Sequence, residues 1–237
     1  LAPALSPAFT RIGPYVEFAP ATVLTLWAAF QYVQYFGTFN LVQSFASPTA
    51  DYSDPELARL AASRGDPRAN YGAGGTELTL GMDLQFKISS IVVRSRGRLV
   101  RPDMNLRDGD RTHYDQFYDV LAPNRGWFLT NDFDVLYQGL ERKLIAGLRY
   151  TATLPFYGQR HFAPGETPVA ANDLHRVGPL VGWTFFSQDG AKLNNPTVFV
   201  LAQWWIQHRF RAGQQVSRAV PLFGVGFQTT GDLLPAD

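Results

Sequence analysis

Leu78-Thr79-Leu80-Gly81-Met82-Asp83-Leu84-Gln85-Phe86-Lys87-Ile88 decides how this chain is read, because every even position is apolar and every odd one is polar or glycine. Successive side chains of a β-strand point to opposite faces, so the alternation predicts a strand with one greasy and one wet face. The run is also long enough to cross a hydrocarbon layer if tilted, which takes about 9 to 11 residues.

The same period recurs on both sides of it. Ser89-Ser90 predicts a tight reversal into a strand with Ile91, Val93 and Leu99 on the greasy face and Arg94, Arg96 and Arg98 opposite. Upstream, Phe9 to Phe18 sets Ile12, Val16 and Phe18 against Arg11, Tyr15 and Glu17, and a second strand runs to about Phe36 with Leu24, Leu26, Phe30 and Tyr32 on its greasy face. Val23 to Phe36 carries no charge and invites reading as a membrane helix. Thr25, Gln31, Gln34, the entry through Pro20 and the aromatic and β-branched content favour a strand. Downstream, Trp127, Leu129, Phe133, Val135 and Tyr137 alternate with Thr130, Asp132, Asp134 and Gln138. Leu144 to Leu154 comes next with Arg149 on its wet side. Val177, Val181 and Trp183 mark a seventh strand. An eighth sets Val198, Val200, Trp204 and Ile206 against Thr197 and Gln203, with Phe199 and Leu201 breaking its polar face. A ninth carries Phe223, Val225 and Phe227.

Short turns fall at one end of this series and long insertions, at about 37–75, 101–125 and 157–174, at the other. Within the first, Asp54-Pro55-Glu56 leads into Leu57 to Ser63 and Gly65, the pattern of a short capped helix with a glycine stop. The arrangement resembles the bacterial outer-membrane β-barrels, with their short periplasmic turns and longer external loops. It is a resemblance of architecture carrying no signature motif, and the chain runs on through Gly231 to Asp237 rather than closing on the aromatic residue usual in that class. The resemblance implies an all-β, antiparallel, up-and-down transmembrane β-barrel of about ten strands, a single domain over 1–237, placed in the bacterial outer membrane. Barrels of that class have an even strand number. Nine are counted, so a strand is expected upstream of Leu1 or from another chain, with Phe39 to Phe45 as a lesser source.

With the greasy face outward, Glu17, Asp83, Lys87, Arg94, Arg96, Arg98, Asp132, Asp134 and Arg149 line the lumen. A barrel of this size is narrow enough for side chains to fill it, so ion pairs across a filled lumen are expected before a conducting path. That gives a structural or partner-binding envelope protein, with a narrow pore as the alternative, since an arginine ladder selects anions. A second alternative is an outer-leaflet lipid hydrolase built from Ser217, His208 and His175, which resembles the His-activated hydroxyl of outer-membrane phospholipases. Arg176, Arg209, Arg211 and Arg218 stand near the same rim, where guanidinium groups suit lipid phosphates and lipopolysaccharide. A soluble lipocalin-like barrel has the same periodicity with its faces reversed.

Composition narrows the rest. The 237 residues carry 21 Lys plus Arg against 20 Asp plus Glu, too balanced to draw nucleic acid. No cysteine is present, which removes disulfides and thiolate metal sites. Asp103, Asp108, Asp110, Asp115 and Asp119 make the second insertion acidic without the spacing of an EF-hand. Gly72 to Gly75 lacks the Lys-Ser/Thr of a phosphate loop, and nothing points to a metal, nucleotide or redox cofactor.

Overall fold

The computed structural model describes the chain except for residues 1–3, 8, 37–41, 64–65, 67, 188–193 and 231–237. The elements in chain order begin with β1 (Ala4–Leu5), β2 (Phe9–Ile12), β3 (Tyr15–Ala21), β4 (Leu24–Phe36), β5 (Ser44–Phe45) and helix α1 (Asp54–Ala62). Next come β6 (Gly72–Ile88), β7 (Ile91–Met104), β8 (Thr112–Asp115), β9 (Val120–Pro123), β10 (Trp127–Gly139) and β11 (Leu144–Phe156). A 3-10 turn at Gln159–His161 leads to β12 (Leu174–Thr184), β13 (Asn194–Gln207) and β14 (Leu222–Thr230).

One antiparallel sheet runs β1-β2-β4-β6-β7-β10-β11-β12-β13-β14, with β3 also on β4. β2 and β3 are halves of one strand. Ile12 faces Tyr32 and Tyr15 faces Ala29, so the register passes unchanged through the break at Gly13-Pro14. Proline has no N–H for the ladder, but its carbonyl still accepts from Phe30 N–H at 3.1 Å. Counted this way, nine long strands run up and down, as the alternation predicted. Closure is a different matter. Among the described residues no pairing joins β14 to β1, β2 or β3, so the sheet is open and the expected ten-stranded cylinder is not formed.

The insertions hold more structure than the sequence pattern announced. β6 reaches back to Gly72 and β7 on to Met104, which shortens the first two. β8 and β9 lie inside the second, and with β5 they make a separate sheet in the order β5-β8-β9. Ser44 and Phe45, from the segment considered as a tenth strand, therefore pair with His113 and Thr112 instead. Residues 39–41 of that segment, the glycine stop at Gly65 and most of the β12–β13 turn lie outside the described residues. Helix α1 starts after Ser53 with Pro55 in its first turn and buries Leu57 and Leu60, the i,i+3 pair of one face.

The apolar core sits with these insertions. Phe45, Tyr52, Leu57, Leu60, Tyr114 and Leu121 cluster together, while Val100, Tyr118, Val120, Ala122 and Phe128 join β9 to the loop ends of β7 and β10. On the long strands the greasy row is the exposed one. Leu148 is 57% exposed and Val225 67%, whereas Asp134, on the opposite face, is 0% exposed. Side chains from all six strands β7 to β14 of the large sheet line a single cavity of about 620 Å³, so the sheet curls and its wet face is the concave one.

Two glycines permit the inner packing. Trp27 lies opposite Gly81, where a Cβ would fall 1.9 Å from the indole ring, which explains the glycine within the polar row of the Leu78–Ile88 stretch. At Gly178 a Cβ would meet the Ala202 carbonyl oxygen at 1.8 Å, and across this gap Gln203 Nε2 reaches from β13 over β12 to donate to Thr151 Oγ1 at 3.0 Å. Gly178→Ala must push β12 and β13 apart, an overpacking that costs about 1–3 kcal/mol. A lower urea midpoint at unchanged slope is the expected result, and a midpoint equal to wild type would contradict it.

Candidate functional site

Strand register turns the alternating sequence into rows of charge across the concave face. In one row Gln85 lies opposite Arg94, Arg94 opposite Asp134, Asp134 opposite Arg149, and Arg149 opposite Gly178. In the next, Asp83, Arg96, Asp132, Thr151 and Arg176 succeed one another from β6 to β12. Side chains directly opposite on neighbouring strands interact most strongly, so alternating charge stabilises this register and a slip of one residue would bury the greasy row.

Asp134 is the centre. Arg94 donates to its Oδ2 from Nε at 3.0 Å and from Nη2 at 2.7 Å, and Arg149 donates to Oδ1 at 2.7 Å and Oδ2 at 3.0 Å. Asp132 takes the Thr151 hydroxyl at 2.7 Å, with Arg96 at 3.9 Å and Arg149 at 4.0 Å. Near the loop end, Arg11 lies between Glu77 at 3.3 Å and Asp115 at 3.6 Å, all three buried. Lys87 donates to Gln138 at 2.5 Å, and Glu17 accepts from Tyr15 on the exposed edge strand β3. Arg98 and Arg176 line the concave cavities without an ion pair, and the Asp83 Oδ1 is buried without a hydrogen-bond partner.

The concave face is not polar throughout. Leu136, Ile145, Leu180, Phe199 and Leu201 also line the large cavity, forming an apolar patch beside the charged band. Phe199 and Leu201 were visible as interruptions of the alternation, but Leu136, Ile145 and Leu180 gave no such signal because a single inward aliphatic residue does not disturb the period of its strand.

Of the four arginines expected at a lipid-facing rim, three are held by partners in the loops. Arg209 is a staple between insertions, donating to the carbonyls of Pro48 at 3.2 Å, Thr49 at 2.7 Å and Ala50 at 3.0 Å and to Asn172 Oδ1 at 3.3 Å. Arg211 bridges Asp54 at the start of α1 and buried Asp119. Arg176 turns inward, and Arg218 donates to the Ala212 carbonyl at 2.9 Å.

His175, His208 and Ser217 do not assemble on one outward face. His175 Nδ1 is 2.6 Å from the Tyr150 hydroxyl, while His208 is buried among Tyr52 and Phe210 with Nε2 at 3.7 Å from Asp119. Ser217 Oγ accepts from Ala219 N–H, and among the described residues no hydrogen bond joins it to either histidine. The aspartates of the second insertion are dispersed likewise. Asp103 pairs with Arg125, Asp110 with Ser44, and Asp115 and Asp119 with Arg11 and Arg211. Among the described residues no group of three acidic or histidine side chains is placed to hold a metal ion.

Asp134→Asn leaves two guanidinium groups facing a neutral amide, and breaking a buried pair from one side costs about 3–5 kcal/mol. Chemical denaturation is expected to show a loss of that order, and an unchanged midpoint would contradict the role given to Asp134. In the small sheet, burial pushes the His113 ring down to about 4, against a weaker raising effect of Asp115. The unfolded chain binds this proton below about 6.5, so stability falls as pH drops from about 6.5 to about 4, by an amount on the order of 3 kcal/mol. His113→Leu is expected to flatten the dependence of the denaturation midpoint on pH in that window, and an equally steep dependence would contradict it.

No family model, curated protein or solved structure matches this chain.

Proposed function

We propose that this protein is an integral β-barrel of the bacterial outer membrane whose lumen is largely filled by ion pairs, with a structural or partner-binding role. The observation that carries this reading is the assignment of faces: the exposed row is Leu80, Met82, Phe86, Leu148, Val181, Ile206 and Val225, while Glu77, Thr79, Asp134, Thr153 and Gln203 are buried. Water does not stabilise so long an apolar surface on a monomer, whereas lipid tails do. A lipocalin-like barrel requires the opposite assignment.

Closure of the sheet belongs to the same proposal. Edge strands in lipid leave backbone groups unpaired at several kcal/mol each. β3 and β14 run in the same direction, so one further antiparallel strand fits between them. β1 pairs on the free side of β2 with Leu5 opposite Thr10 and Ala4 opposite Arg11, so that edge already accepts an antiparallel strand. Sequence upstream of Leu1 or a second chain is the proposed source.

A narrow pore is the second reading, favoured by cavities that adjoin. The one of about 620 Å³ shares Arg149 and Leu201 with a cavity of about 220 Å³, which in turn shares Phe117, Arg176 and Leu222 with one of about 490 Å³ under the insertions. Planar-bilayer recording separates the two, since a filled lumen gives no discrete channel events.

Single nitroxides at positions 148, 181 and 225, each introduced through a cysteine into this cysteine-free chain, test the membrane assignment directly. In vesicles, collision with lipid-soluble oxygen is expected to exceed collision with a water-soluble nickel complex at all three. Recovery of the folded protein without detergent, or the opposite accessibility, would refute the proposal.

A further inference from the structure

Every other guanidinium of the concave face has a carboxylate: Arg11 has Glu77 and Asp115, Arg94 and Arg149 share Asp134, and Arg96 lies 3.9 Å from Asp132. Arg98 on β7 and Arg176 on β12 have none within ion-pair distance among the described residues, yet both line the same cavity of about 220 Å³. The Nε of Arg176 is buried with no hydrogen-bond partner. Two half-buried guanidinium groups on one cavity, neither of them ion-paired, repel each other, and an anion bound between them would relieve that repulsion.

We infer that Arg98 and Arg176 form a binding site for a compact oxyanion, of phosphate or carboxylate chemistry, in the concave face beneath the insertions. The planar fork of each guanidinium presents paired N–H donors, which match two oxygens of such an anion. Register supplies the rest of the wall. Arg98 lies opposite Thr130, Thr130 opposite Thr153, and Arg176 opposite Thr151, and all three threonines line the cavity. Thr153 donates to Thr130 Oγ1 at 3.3 Å, which leaves the Thr130 hydroxyl proton to point at an acceptor. Asp132 also lines the site, but its carboxylate is already engaged by Thr151 and faces Arg96 and Arg149. The volume suits a free ion or a single headgroup phosphate rather than a large solute. Entry is from the cavity of about 490 Å³ at the loop end, through the contact shared at Phe117, Arg176 and Leu222.

The test is calorimetric titration of the folded, detergent-purified protein with inorganic phosphate against chloride at matched ionic strength. Saturable binding of one phosphate is expected. Arg98→Gln and Arg176→Gln each remove hydrogen bonds to a charged group and are expected to weaken it about tenfold or more. Arg59→Gln, on the exposed face of α1, leaves it unchanged. Arg98→Lys and Arg176→Lys keep the charge and retain part of the affinity, which separates loss of the site from loss of the fold. A short-chain phosphatidate in place of phosphate distinguishes the source: binding lost in the same two glutamine variants assigns the oxyanion to a lipid headgroup, and binding of inorganic phosphate alone assigns it to a free ion. Absence of saturable binding of either to folded wild type, or equal affinity in wild type and both glutamine variants, overturns the inference.

Discussion

A carboxylate with no exposed surface holds two guanidinium groups from the strands on either side of it, and the order of the large sheet depends on that arrangement. Asp134 can accept from Arg94 and Arg149 together only if β7, β10 and β11 keep the register in which the three residues lie abreast. A shift by one residue would turn the carboxylate to the greasy face and leave both arginines unpaired. The desolvation cost of buried charge, several kcal/mol per ion, thus acts against alternative registers as much as for the native one.

The molecule divides its stabilising forces by height along the strands. At mid-height the contacts are polar, and the concave face is joined by hydrogen bonds such as that from Gln203 to Thr151. At the loop end the contacts are apolar, with α1 packing on Tyr114 and Leu121 of the β5-β8-β9 sheet and β9 packing on Val100 and Phe128 of the long strands. Arg209 and Arg211, in the loop between β13 and β14, fasten that loop to the first insertion, so the layer over the sheet is tied by charge as well as by burial. At this end the insertions and the strands border a cavity of about 490 Å³ lined by Asp54, Tyr114, Phe117, Arg176 and Arg211.

The long strands were legible in the sequence because their period is two and each spans many residues. Every second residue of a strand shares a face, and the register then sets Asp134, Arg94 and Arg149 abreast on one of them. The three-stranded loop sheet was not legible: β5, β8 and β9 run two to four residues each, too short for a period to show, and their side chains are buried on every side. The staple made by Arg209 was equally hidden, because its partners are backbone carbonyls of residues far away in the chain.

The amino-acid order by itself determined which residues form strands and which of their faces is greasy, because both depend on backbone geometry within each segment. The tertiary structure alone decided who meets whom. It set which charges are paired, put Arg98 and Arg176 on one cavity although they stand on strands not adjacent to one another, turned His208 into the loop core away from Ser217, and left the sheet open between β3 and β14. The reason is that register and curvature arise from contacts between segments, and a repeat of two residues is the same whichever neighbour a strand acquires.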